Sequence, residues 1–199
     1  MNHYYSDQPT APSREQSVIF EVNGRSFACV TDSGVFGRSG LDMGSRILAR
    51  TFAADAPDCT TALELGCGWG ALALAVLAYR PELEMVLVDI NERACGLARK
   101  NLEKHRFSAQ IIHGDATLTA LPNTPAVLMN PPIRAGNVVV HALLTRAHAL
   151  LVPGGQLFFV VRKQQGAPSM QRFCAELFGN CHLHVRESGY WVLSCLKTQ

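Results

Sequence analysis

Apolar and polar residues follow two different periods along the chain, and the change falls near residue 60. Before it, VIFEV (18–22) and RSFACV (25–30) alternate with a period of two around Asn23-Gly24. Asn-Gly readily takes the paired positive φ angles of a type I′ turn, so this pattern predicts a β-hairpin. The next stretch, DSGVFGRSGLDMG, has glycines at 34, 37, 40 and 44 and reads as a loop, left through a short helix over 45–52. The first 17 residues, polar with two prolines, read as an arm.

After residue 60, short apolar runs at 61–65, 85–90, 109–113, 125–130 and 156–161 alternate with helical candidates at 70–79, 92–104, 137–151 and 168–177. In the second candidate, Ala94, Leu97, Ala98 and Leu102 recur at helical spacing behind a possible N-cap, Asn91. In the third, Val140, Leu143, Leu144, Ala147, Leu150 and Leu151 recur until Pro153-Gly154-Gly155, read as the stop. Strands separated by helices need crossover connections, which give a parallel sheet covered on both faces. Only a turn at Gly189 separates CHLHV from YWVLSCL, so the last two strands form an antiparallel hairpin. The pattern therefore predicts a doubly wound α/β fold: a mostly parallel seven-stranded sheet with a C-terminal antiparallel hairpin and an N-terminal β-hairpin extension. Residues 1–58 form arm, hairpin and loop, and 59–199 the main domain, packed as one compact unit.

Composition narrows the class. At 199 residues, 48% hydrophobic and 17% charged, the chain has the size of one α/β domain and is too apolar for a disordered tail. The longest apolar run, Ala71 to Ala78, is far short of a membrane span, and MNHYYSDQPT has neither the basic nor the apolar region of a secretory signal. A cytoplasmic protein is expected. Seven cysteines without a Cys-x-x-Cys pair suggest free thiols rather than a disulfide framework or thiolate zinc site. His182 and His184 alternate on one strand with no third ligand placed beside them, so no metal is expected. The net charge of +2 conceals an asymmetry: residues 134–199 carry 7 Lys/Arg against 2 Asp/Glu, and residues 1–133 carry 11 against 14. The C-terminal third, at +5, favours an anionic partner or is simply a solvated basic surface.

Candidate chemistry gathers at the strand ends. Glu64-Leu65-Gly66-Cys67-Gly68-Trp69-Gly70 joins the first parallel strand to its helix, and a turn without side chains lets a ligand approach the backbone. The same residues fit a dinucleotide fingerprint, or a turn needed only for tight packing. Asp89, ending the second strand, suits ribose hydroxyls or the N-terminus of the following helix. Asp115, in His113-Gly114-Asp115-Ala116, suits an adenine amino group or an ordinary turn. The fourth strand runs into Asn130-Pro131-Pro132-Ile133. To alkylate an amine conjugated to a ring or carbonyl, its lone pair must be turned out of conjugation. Two fixed acceptors for its two N–H bonds do this, and the Asn130 side-chain oxygen and Pro131 carbonyl are such a pair. Asn and Pro in ordinary turn roles remain the alternative. A hydride-transfer site has no use for such a pair. Cys67 has no adjacent base and reads as a small packed residue.

Taken in order, ELGCGWG, VLVDINERACGLARKN, HGDA and NPP resemble the class I S-adenosylmethionine-dependent methyltransferases, which have a Rossmann-like fold. More narrowly, the chain is similar over roughly residues 3–199 to the "methyltransferase small" group typified by the small-subunit (16S) ribosomal RNA guanine-N2 methyltransferases. HYYS, TDSGVFGRSGLDMG, NPPIRAG with the following VVVHALL, LVPGGQLFFVVRKQQGAP and FGN with GYWVL carry that likeness. The resemblance implies S-adenosylmethionine as cofactor, contacted by Gly66, Gly68, Asp89 and Asp115 with their neighbours Glu64, Gly70, Ile90 and Ala116. Asp42 and Gly44 match the motif near the cofactor's methionine end. Asn130, beside the cofactor too, would hold the target amine with Pro131, Pro132 and Ile133. The implied partner is ribosomal RNA or the small subunit, met by a monomer or homodimer. Related NPP enzymes act on adenine N6 or on a release-factor glutamine amide. A non-catalytic binding module and an NAD oxidoreductase are the remaining readings.

Two departures bear on the substrate. Better-known members end the NPP motif in an aromatic residue, and Ile133 offers only apolar contact there. Two-domain members carry a further N-terminal domain for RNA, which 199 residues are not expected to hold. Substrate capture then falls to Arg134, Arg162, Lys163 and the basic C-terminal third. Phe36, Trp69 and Phe20 are candidate stacking groups for adenine or the target base, with an ordinary core role as the commoner alternative.

Overall fold

The computed structural model describes residues 12–56 and 58–198. HYYS and most of the N-terminal arm lie outside the described residues. Strands β1 (Gln16–Val22) and β2 (Arg25–Thr31) pair antiparallel from Gln16 opposite Thr31 to Val22 opposite Arg25. Asn23 and Gly24 join them at φ of 49° and 69°, the left-handed pair the turn requires. Helix α1 (Met43–Asp55) starts earlier than the apolar pattern suggests, because its first turn is fixed by a polar cap. The Asp42 carboxylate accepts the Ser45 N–H at 3.2 Å.

The rest alternates: β3 (Thr61–Leu65), α2 (Ala71–Tyr79), β4 (Glu84–Asp89), α3 (Glu92–Lys104), β5 (Gln110–His113), β6 (Thr124–Met129), α4 (Asn137–Leu150), β7 (Leu151–Arg162), α5 (Ala167–Phe178), β8 (His182–Glu187) and β9 (Tyr190–Leu196). The seven-stranded sheet has the order β5-β4-β3-β6-β7-β9-β8. The first five strands of that order pair in parallel, and β9 lies antiparallel between β7 and β8. This is the expected doubly wound, Rossmann-like architecture. The winding reverses between β3 and β6, and ligands of open α/β sheets bind at such a point.

One boundary differs from the sequence pattern. Leu151 leaves the helix at φ −69°, ψ 139° and already pairs with Thr124, so Pro153-Gly154-Gly155 lie inside β7 as an irregularity in its register with β6. Gly154 donates to the Lys197 carbonyl and the Lys197 N–H to Gly155. A Cβ on Gly155 would come within 3.0 Å of the Val152 and Pro125 carbonyl oxygens. Glycine here serves close strand packing rather than a helix stop.

The sheet separates two apolar layers. Ala62, Leu128, Phe158 and Val160 face α1, α2, α3 and the hairpin, whereas Leu63, Leu65, Val127 and Phe159 face α4 and α5. Helix α2 is buried from Leu72 to Ala78, which is why its sequence shows no apolar face. The hairpin joins the first layer: Phe20 stacks on Phe27 at 5.2 Å and meets Trp69 edge-on at 6.0 Å. Asn101 of α3, fully buried, receives the Val30 N–H and donates to the Val30 and Trp69 carbonyls. At the far end, His184 bridges Asp55 of α1 (2.6 Å) and the Ser194 hydroxyl (2.7 Å), a packing role on the sheet face.

Candidate active site

The carboxyl ends of β3, β4 and β6 and the loop after β5 surround a cavity of about 350 Å³ at the reversal of the winding. Its floor is the glycine turn. Gly66 and Cys67 donate to the Val88 carbonyl at 2.8 and 3.1 Å, tying the turn to the end of β4. Gly66, Gly68 and Gly70 all have positive φ, and a Cβ on Gly66 or Gly68 would meet nothing within 4 Å. A Cβ on Gly70 would meet the Ala98 backbone at 3.3 Å, so this glycine lets α3 approach. The turn thus presents bare backbone to the cavity and packs tightly behind it.

Carboxylates line the crevice at successive strand ends. Asp89 accepts the Gly68 N–H at 2.8 Å and the Asn91 N–H at 2.9 Å, which fixes its plane. Burial raises its pKa and outweighs those two hydrogen bonds. Glu64 is 2% exposed, and its Oε2 has no hydrogen-bond partner among the described residues. Burial first, then the charge of Asp89, push its carboxyl well above the usual range against the Ala73 N–H. Asp115 Oδ1 accepts the Thr117 N–H and hydroxyl, at 2.8 and 2.7 Å, at the start of the loop after β5.

Across the cavity, Asn130 Nδ2 donates to Asp42 Oδ2 at 3.2 Å and to the Ser45 hydroxyl oxygen at 2.9 Å. A carboxylate only accepts, so the amide must turn its NH₂ toward α1, leaving its oxygen on the other side. The Pro131 carbonyl accepts the Ile133 N–H at 2.9 Å and keeps a second lone pair.

The glycine-spaced loop between β2 and α1 forms a wall of the cavity, held by four residues. Asn91 donates to the Gly34 carbonyl at 2.9 Å, Arg93 to Ser33 at 2.7 Å, Trp69 to Gly37 at 3.2 Å, and Gln16 to Arg38 at 2.6 Å. Trp69 is nearly fully buried and Phe20 is buried, so both belong to the core, whereas Phe36 is 50% exposed at the mouth.

Most sequence candidates meet here. Glu64, Gly66, Gly68, Asp89 and Ile90 line one side, and Asp115, Ala116, Asn130, Pro131 and Pro132 another, with Asp42 and Phe36 from the loop. Others stand apart. Gly44 faces Tyr190, whose ring carbons a Cβ would approach to 2.8 Å, and Ile133 packs under α4 in a single 3-10 turn. Arg162 lies over the Tyr190 ring at 4.8 Å and donates to its hydroxyl, while the Lys163 N–H binds the Gly189 carbonyl. Arg134 borders a neighbouring hollow. Ser45 and the apolar Val138, Val139 and Leu143 also line the cavity. Nothing in the local sequence singled out Ser45. In sequence the valines stand in a helical pattern and in the VVVHALL stretch, with no role attached to them; in the fold they lie in the first turn of the helix, 84% and 39% exposed, at the cavity mouth.

Bare backbone over Gly66 and Gly68, an orphaned Glu64 oxygen and acceptors at three strand ends fit S-adenosylmethionine, which brings donors in its ammonium, ribose and adenine groups.

A family profile described as methyltransferase small domain matches residues 26–194. The uncharacterized protein YbxB of Bacillus subtilis is 33% identical over 98% of both chains. The ribosomal RNA small subunit methyltransferase C of Pseudomonas syringae pv. tomato is 28% identical over 96% of this chain. Among solved structures, the T. thermophilus 16S rRNA N2 G1207 methyltransferase, in complex with AdoMet and guanosine, superposes with a TM-score of 0.81 at 26% identity over 94% of this chain. The chain spans 60% of the Pseudomonas protein and 51% of the Thermus chain. No helix among the described residues is long and apolar enough to cross a membrane.

Proposed function

The chain belongs to the methyltransferase small-domain family and is an S-adenosylmethionine-dependent methyltransferase, and from that premise we propose that it methylates ribosomal RNA, at the exocyclic N2 amine of a small-subunit guanine. The observation that carries the reading is the orientation of Asn130. Its NH₂ is spent on Asp42 and Ser45, so the amide oxygen is the group left for a substrate N–H. With the free lone pair of the Pro131 carbonyl it would take both hydrogens of an exocyclic amine and direct the nitrogen lone pair out of the ring plane. When bound, S-adenosylmethionine supplies a methyl carbon activated by a sulfonium. Glu64, Asp89, Asp115 and the backbone of the Gly66–Gly68 turn would hold that cofactor. Guanine N2 is barely basic, so its proton can leave to solvent once the methyl group has been transferred, and no protein base is required.

Likeness to the Pseudomonas and Thermus enzymes supports the RNA substrate. Relatives named ribosomal RNA large subunit methyltransferase G, including one from Aeromonas salmonicida at 25% identity, make large-subunit RNA the comparison arm. The test is incubation of radiolabelled S-adenosylmethionine with deproteinised ribosomal RNA, small and large subunits and a release factor, followed by digestion. Label in N2-methylguanosine from small-subunit RNA is the expected result. Label in N6-methyladenosine, or in protein alone, overturns it.

A further inference from the structure

Beside the methyl-transfer cavity lies a second hollow of about 450 Å³, reached past the same loop wall: Phe36, Gly37 and Asp42 border both. Two guanidinium groups border the second hollow alone, Arg38 from the loop and Arg134 from the turn after Pro132. Both are exposed, and both backbones are fixed. The Arg38 carbonyl accepts the Gln16 amide, and Arg134 sits in a turn closed by Ala135 N–H to Pro132 and Gly136 N–H to Ile133.

Neither guanidinium is paired with a carboxylate among the described residues, whereas Arg50 pairs with Glu187, Arg80 with Glu82 and Arg93 with Asp32. Arg38 makes only a long contact of 3.4 Å, to the Arg14 carbonyl. Asp42, the one acid bordering the hollow among the described residues, has its oxygens engaged by Ser45 and Asn130. The second hollow therefore offers two cations and little competing acceptor capacity, with an exposed aromatic ring between it and the site of chemistry.

We propose that this hollow is a phosphodiester site: Arg38 and Arg134 hold the backbone phosphate next to the nucleotide whose base enters the first cavity, with Phe36 as the divider between base and backbone. Guanidinium forks match phosphate oxygens in geometry, and such contacts position a strand without reading its sequence. The proposal rests on the RNA methyltransferase reading and adds where the strand runs.

The test is binding of a fluorescein-labelled single-stranded RNA 12-mer containing guanine to the full chain, by anisotropy over a range of salt concentrations. Each phosphate contact on a single strand contributes about 0.7 to the slope of log K against log salt. R38Q and R134Q are each expected to lower the slope by about that much, and the double variant by both increments. R172Q, which removes one exposed charge from α5, should leave the slope as in wild type. S-adenosylhomocysteine affinity, titrated in parallel, reports that each variant is folded and should not change. A double-variant slope equal to that of R172Q overturns the proposal. Label entering RNA while the slope is unchanged refutes this site and leaves the methyltransferase reading standing. A lowered slope with no label in any RNA does the reverse.

Discussion

Asn130 Nδ2 donates to Asp42 Oδ2 across 88 residues of sequence, and Asp42 is at the same time the N-cap of α1. One carboxylate therefore starts a helix and sets which way a candidate substrate-binding amide faces. Asn130→Ala is expected to lower kcat about 10²-fold or more, on the scale of removing one oriented polar group from a reacting centre, with S-adenosylhomocysteine affinity little changed. Calorimetric titration alongside turnover separates the two effects, and a variant that loses cofactor affinity but keeps kcat would contradict the assignment. Asp42→Ala should lower kcat about 10- to 100-fold by releasing Asn130, and cost about 1 kcal/mol as a lost cap. Asp42→Asn restores the cap but not an acceptor-only partner. Recovered stability without recovered turnover identifies Asp42 as a positioning residue.

Glu64 is proposed to hold the cofactor, and its burial links stability to pH. Its carboxyl is held well above the ordinary value by burial and then by Asp89, so the folded chain retains a proton that the unfolded chain releases above about pH 4.3. Stability from this group is therefore present at low pH and is lost as pH rises toward the raised folded value. Glu64→Gln should match wild type near pH 4 and be the more stable protein at pH 8 without cofactor, by urea unfolding. Its affinity for S-adenosylmethionine should fall. An equal stability difference at both pH values would show that ionisation is not the cause.

Gly44 is small because Tyr190 lies against it. A Cβ there would approach the ring carbons to 2.8 and 2.9 Å, and the Arg162 guanidinium covers the same ring. Gly44→Ala is expected to destabilise by about 1–3 kcal/mol as overpacking. In a double-mutant cycle with Tyr190→Ala most of that cost should disappear, because the clash needs both partners. Additive costs would place the strain elsewhere.

The sequence made these relationships legible to different depths. Asn23-Gly24 declared its hairpin because the dipeptide's own conformational preference decides the turn. The strand ends bearing Asp89, Asp115 and Asn130 could be placed because each apolar run is short and bounded by polar residues. Pro153-Gly154-Gly155 misled: a local breaker signal cannot show that Gly155 packs within 3.0 Å of neighbouring carbonyls inside a strand. Gly44 could be associated with the site by motif, yet its contact with Tyr190 joins residues 146 positions apart and leaves no local trace. Ser45 was invisible for the same reason. A serine in the first turn of a helix is common, and only the fold brings it to 2.9 Å from Asn130.

Asn101 shows how the N-terminal hairpin reaches the site. Its amide takes the Val30 N–H at 2.8 Å and donates to the Val30 carbonyl at 2.8 Å and to Trp69 at 3.0 Å, joining β2 to the glycine turn through α3. Asn101→Leu keeps the volume and leaves one N–H and two carbonyls buried without partners, an expected cost of about 3 kcal/mol or more. Asn101→Asp keeps the acceptor for Val30 but loses both donations and buries a charge, so it should be the less stable of the two. Urea unfolding gives the order. Hydrogen exchange gives the location: the Val30 amide should exchange faster in Asn101→Leu, while amides of β7 and β9 on the far half of the sheet keep wild-type protection relative to global stability. Because Trp69 also holds the Gly37 carbonyl of the cavity wall, S-adenosylhomocysteine affinity should weaken in the same variant. Loss of stability with unchanged affinity and no local change at Val30 would mean that the hairpin is packed on the domain without being coupled to its site.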